Sequence, residues 1–154
     1  MSYGPKVYRR QGGDELVVKS GGKITVESGG IVDNIGAVAD ASIVVGAENA
    51  NVRNITIQLK DAAGADIAVR QAVQIAVLLD ANGDAFVVTG GSTGIAIGTD
   101  GALLAIVAKK LFLAISEADG DIDLTWTDTG TEAAYLAVIL PNGKMIISTA
   151  LTNT

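Results

Sequence analysis

The sequence contains no cysteine, no histidine, only two prolines, and six aromatic side chains in 154 residues. Without Cys, disulfide staples, thiolate metal sites and thiol nucleophiles are excluded, and folding does not depend on a redox compartment. Without His, the commonest general base, the commonest metal ligand and the usual partner of a Ser nucleophile are missing. Carboxylate chemistry survives that loss, but an enzyme is not expected, nor is any cofactor. The scarcity of rings argues against sugar platforms and against single-stranded nucleic-acid stacking, so no nucleic-acid partner is expected either. No segment approaches the ~20 uninterrupted apolar residues of a membrane helix, and no membrane partner is expected. Residues 1–10 carry basic side chains with no apolar run behind them, unlike a secretory signal. The chain is expected to be made and used on the cytoplasmic side of its producer.

What is abundant is aliphatic. Hydrophobic residues make up 49% of the chain, drawn mainly from Ala, Val, Ile and Leu, beside 19 Gly. A chain of this length buries roughly two thirds of its unfolded surface, enough for one domain with a core of its own. Charge is uneven. Residues 1–27 hold five Lys or Arg against three acids, while residues 28–154 hold six against fourteen, for a net charge of −6. A basic arm on an acidic body points to an acidic partner surface or to a neighbouring subunit.

Residues 16–30 write one phrase twice, eight residues apart: Leu16-Val17-Val18-Lys19-Ser20-Gly21-Gly22, then Ile24-Thr25-Val26-Glu27-Ser28-Gly29-Gly30. Apolar and turn positions repeat while the charge changes sign, as in a β-turn-β ribbon or the coils of a solenoid. Two such units cannot cover their own apolar face and need like units from other chains. Burying Leu16, Val18, Ile24 and Val26 against copies of themselves is worth roughly 1.5–3 kcal/mol per side chain. These four residues are the expected oligomer interface, with a homotrimer favoured over a dimer.

Residues 1–15 read as an arm broken by Pro5, Gly12 and Gly13, and 31–50 as a degenerate third turn running into a linker. Strict alternation begins at Ile55-Thr56-Ile57-Gln58-Leu59-Lys60 and returns at Ile122-Asp123-Leu124-Thr125-Trp126-Thr127, the pattern of strands with one wet face. Val69 to Leu79 also has period two and ends at Asn82-Gly83, a hairpin signal that brings Phe86-Val87-Val88 back as a strand. Residues 102–115 fit a helical stripe through Leu103, Leu104, Val107, Leu111 and Ile115 or two strands divided at Lys109-Lys110. The surrounding sheet pattern favours two strands. Tyr135–Leu140 and Met145–Thr149 flank the turn at Pro141-Asn142-Gly143. Eight or nine short strands with turns about every ten residues fit an all-β fold, an antiparallel sandwich or small barrel. The expected layout is an arm and β-repeat over 1–36, a linker over 37–50 and the body over 51–154.

Gly90-Gly91-Ser92-Thr93-Gly94 spells a hydrolase nucleophile elbow, but that motif needs a strand-to-helix turn and a His base, so a flexible loop is expected. Asp80, Asn82 and Asp84, and Glu117, Asp119, Asp121 and Asp123, offer hard oxygens without the spacing of a calcium loop. Asp and Asn beside Gly are ordinary turn formers, and no metal is expected. A carboxylate pair for glycoside hydrolysis lacks an aromatic platform nearby. Trp126, in phase with Ile122 and Leu124, is expected in the core. Tyr3, Tyr8, Arg9 and Arg10 lie in the arm, with no core to join and of types favoured in binding hot spots.

The doublet, together with Ile57-Gln58-Leu59-Lys60-Asp61, Ile97-Gly98-Thr99-Asp100-Gly101 and Glu117-Ala118-Asp119-Gly120-Asp121-Ile122-Asp123-Leu124, resembles phrases in virion proteins of tailed bacteriophages, of the capsid decoration (cement) or head-fibre type. The resemblance implies a non-enzymatic structural protein, commonly trimeric, that binds the phage major capsid protein on the outer surface of the shell and stabilises it. The corresponding location is the capsid exterior of a virion assembled in the host bacterial cytoplasm. The alternative is a receptor-binding or tail-fibre module contacting a host surface. No functional residue carries over from the resemblance; Tyr3, Tyr8, Arg9 and Arg10 are the expected capsid contacts on their chemistry alone.

Overall fold

A computed structural model describes residues 7–9, 12, 16–19, 22–25 and 38–154. The chain divides into two compact units, Met1–Asp33 and Asn34–Thr154. In the first, β1 (Val7–Arg9) pairs antiparallel with β2 (Leu16–Val18), Tyr8 facing Val17. In a β-turn-β ribbon the partner of Leu16–Val18 would be the second half of the doublet, of which residues 26–30 lie outside the described residues. Among the described residues it is the arm strand β1 that pairs with Leu16–Val18, and Gly12, between the two strands, adopts a φ of 116° that glycine takes without steric cost. Ile24 lies outside any strand, and Val26 lies outside the described residues.

The second unit is an all-β sandwich of two antiparallel sheets. Its strands are β3 (Asp40–Val45), β4 (Val52–Lys60), β5 (Ala72–Leu78), β6 (Gly94–Ile97), β7 (Ala102–Val107), β8 (Leu111–Ile115), β9 (Asp121–Thr127), β10 (Tyr135–Ile139) and β11 (Met145–Ala150). One sheet has the order β3-β4-β9-β6, the other β11-β10-β5-β8-β7. β4 pairs with β9 in one sheet and β5 with β8 in the other, while β6 pairs with β9 and β7 with β8, so the chain crosses between the sheets from β4 to β5, from β5 to β6, from β6 to β7 and from β8 to β9. The hairpin β10–β11 extends one sheet and β3 the other.

Alternation in the sequence becomes the core directly, since successive side chains of a strand point to opposite faces. Ile55, Ile57 and Leu59 of β4 meet Val73, Ile75 and Val77 of β5, Ile122, Leu124 and Trp126 of β9, and Leu136 and Val138 of β10 in one buried cluster. Trp126 is fully buried in it, as its phase predicts. No helix among the described residues is long and apolar enough to cross a membrane.

Residues 102–115 form two strands joined by a tight turn in which Lys109 adopts a φ of 63°. Two expectations change. The supposed linker over 37–50 contains β3, whose Ile43 and Val45 pack on the core while Val44 stays exposed. Phe86-Val87-Val88 is not a strand: only Phe86 bridges Leu78, because β5 is already paired with β8 and β10. Val87 is nevertheless fully buried.

Candidate functional site

The densest group of ionisable side chains stands at the start of β9. Asp121 and Asp123 are two apart on this strand and face outward beside Gln58 and Thr56 of β4. The turn from β6 to β7 is tied to the same strand by two backbone bonds, Gly98 N–H to Asp123 O at 2.7 Å and Asp123 N–H to Asp100 O at 2.9 Å. That attachment brings Asp100 in, so carboxylate oxygens of Asp100, Asp121 and Asp123 lie within 4.8 Å of one another. Asp123 accepts hydrogen bonds from the hydroxyls of Thr56, at 2.9 Å, and Thr99. Asp121 Oδ1 is buried without a hydrogen-bond partner. Burial, then the charge of Asp123, raises the Asp121 carboxyl above its ordinary value, with Asp119 and Asp100 adding to the effect. Beside the cluster lies a cleft of about 350 Å³ lined by Asn54, Thr56, Gly98, Thr99, Asp123 and Thr125. Three crowded carboxylates can share a proton or hold a hard cation through oxygen. Of the acids singled out in the sequence, Asp121 and Asp123 belong to this group; Asp100 enters only through the fold. Glu117 pairs with Arg70 at 2.7 Å, and Asp119 Oδ1 accepts the Asp121 N–H. Asp80 Oδ1 accepts the N–H groups of Asn82 and Gly83 in an ordinary turn.

The Gly-rich stretch 90–94 is clamped rather than flexible. Glu132 accepts the Thr89 N–H at 2.7 Å, the Thr89 hydroxyl at 2.6 Å and the Gly91 N–H at 2.8 Å. Burial alone would raise the Glu132 carboxyl; these hydrogen bonds outweigh it and hold the group below its ordinary value. Lys109 Nζ donates to the carbonyls of Gly91 and Ser92 at 3.0 and 2.7 Å. Gly91 has a φ of 70°, and a Cβ there would stand 2.8 Å from the Trp126 ring, so the glycine answers to packing. Ser92 Oγ accepts the Thr129 N–H at 3.0 Å and faces the Thr127 carbonyl at 3.4 Å. The loop leads into strand β6, not a helix, so Ser92 lacks the setting of a nucleophile elbow.

Of the expected capsid contacts, Tyr8 and Arg9 fall in β1, while Tyr3 and Arg10 lie outside the described residues. Of the expected oligomer contacts, Leu16 and Val18 share β2, with Val18 exposed, and Ile24 is exposed in irregular chain; Val26 is not among the described residues. The residues that alternation did not single out are apolar ones on the outside of the five-stranded sheet, where Ala76, Leu78 and Ala137 form a second buried cluster with Leu111, Tyr135, Ile139 and Ile147. The available signal was the failure of alternation in 102–115 and 135–140, which marks strands apolar on both faces. No protein-family model, no curated protein and no solved structure matches this chain.

Proposed function

We propose that this chain is a non-enzymatic structural protein of a phage virion that binds the outer surface of the capsid and stabilises it, acting as a homotrimer. The observation that carries the reading is the division into two units of opposite character. The N-terminal unit, Met1–Asp33, carries five Lys or Arg against four acids, with Tyr8 and Arg9 on β1, while the β-sandwich unit, Asn34–Thr154, carries six against thirteen. In this reading the first unit attaches to the capsid and the second is displayed. Attachment through exposed charges carries a salt-sensitive component, since such charges are screened beyond ~10 Å at 0.1 M salt.

Purified capsids lacking decoration provide the test. The protein is expected to co-sediment with them and to saturate at a fixed number of copies per shell. Failure to bind capsids, with binding instead to host cells or their surface glycans, would favour a receptor-binding module. Turnover in a screen of hydrolase and lyase substrates, lost in Ser92→Ala, would overturn the non-enzymatic assignment.

A further inference from the structure

The outer face of the five-stranded sheet is built like an interior. Strand register aligns Leu104, Leu113, Gln74, Ile139 and Met145 in one row across all five strands. A parallel row holds Val107, Leu111, Ala76, Ala137 and Ile147. Neither row contains a charged residue. A sheet face turned to water ordinarily carries polar side chains, and the other sheet of this sandwich does so with Asn54, Thr56, Asp123 and Thr125. On the apolar face Leu104 is 65% exposed, Val107 46% and Met145 44%, so its rim is open to solvent while Ala76 and Ala137 form a buried floor. Five strands about 4.8 Å apart, five to seven residues long at about 3.3 Å each, give a face of roughly 24 by 20 Å. Two such faces together come to on the order of 1,000 Å², the size at which specific interfaces begin.

Gln74 decides what covers it. It is the only polar side chain in the two rows, it is exposed, and it borders a depression of about 350 Å³ lined with Ala72, Leu113, Ile139 and Pro141. Closing an apolar surface over a lone amide leaves its donors and acceptor unpaired, which is unfavourable for a buried polar group. Lipid acyl chains cannot relieve that penalty. A second Gln74 can, because an amide is both donor and acceptor and two related by symmetry bond each other. Leu104 stands two strands away from Gln74, about 10 Å, as an exposed ridge of a size to enter the depression on a copy.

We infer that this face is a self-association surface on which copies of the chain pack around an axis passing beside Gln74, with Leu104 seated in the neighbouring depression. The inference is independent of capsid binding. Light scattering coupled to gel filtration tests it. At micromolar concentration the wild type is expected at a multiple of the 15.6 kDa chain mass. Gln74→Glu places like charges on the axis and Leu104→Asp puts a charge in the depression; both are expected at 15.6 kDa at neutral pH with unchanged circular dichroism. Gln74→Glu should regain the wild-type mass below about pH 4, as the new carboxyl is protonated. A monomeric wild type, or variants that keep the wild-type mass, would overturn the inference. If instead the Val18→Asp, Val26→Asp double variant alone dissociates, copies associate through the N-terminal unit and the sheet face is not the interface, while the capsid-binding proposal stands.

Discussion

Single side chains hold this fold at a few polar knots, and each knot has a measurable sign. Glu132 gathers three hydrogen bonds from Thr89 and Gly91. Glu132→Gln is expected to destabilise the body by about 1.5 kcal/mol, the low end for bonds to a charged acceptor, measured by chemical denaturation. Because the folded carboxyl is held below the ordinary 4.5, its contribution is present above that value and lost as pH falls through the lower folded value. Asp121 has the opposite sign. Its raised carboxyl gives the folded state the greater proton affinity, so stability falls as pH rises from 3.8 through the raised value, and the full penalty persists above it. Asp121→Asn should therefore raise the melting temperature at pH 7 and leave it unchanged well below pH 3.8; equal melts of the two proteins at neutral pH would contradict the penalty from burial and from the charge of Asp123. Asn153 is almost fully buried, donating to the carbonyls of Asn51 and Asp128 at 2.7 and 2.8 Å and accepting from Arg53 Nε at 3.1 Å. Asn153→Ala should cost about 1–3 kcal/mol by leaving those groups unpaired.

At the scale of the strand, alternation was a sufficient guide wherever one face is wet. β4 and β9 were legible because Ile55, Ile57, Leu59 and Ile122, Leu124, Trp126 each fall in one phase and are buried together. Ile57→Ala should destabilise by about 2–5 kcal/mol, as expected for a large core truncation, with loss of cooperative melting as the readout. The division of 102–115 was legible through Lys109-Lys110, where the turn gives Lys109 a positive φ. What escaped is what local pattern cannot carry. Strand β3 has mixed composition and gains its order from pairing along β4. Phe86-Val87-Val88 reads as a strand, but hydrogen-bonding edges are shared, and β5 has none free for most of its length. Asp100 joins Asp121 and Asp123 across more than twenty residues, a juxtaposition set by the β6–β7 turn and written in no local spacing. The strand in the arm was not legible, because Val7–Arg9 is too short to show a periodicity and its order comes from pairing with Leu16–Val18.

The whole molecule combines a small N-terminal unit, a sandwich with one polar and one apolar outer face, and a corner of three carboxylates. Two of those carboxylates were read in the sequence as members of a turn-forming cluster, and the body has a core of its own. Thermal melts in EDTA and in Ca²⁺ are expected to superimpose, and a shift of many degrees would make the Asp100, Asp121 and Asp123 corner a cation site. Attachment by the N-terminal unit is the central claim, and comparing full-length protein with a variant lacking residues 1–12 on undecorated capsids tests it most directly. The truncated protein is expected to melt as the full-length body does, to bind capsids more weakly, and to lose most of the salt dependence of binding. Undiminished, equally salt-sensitive binding by the truncated protein would contradict it.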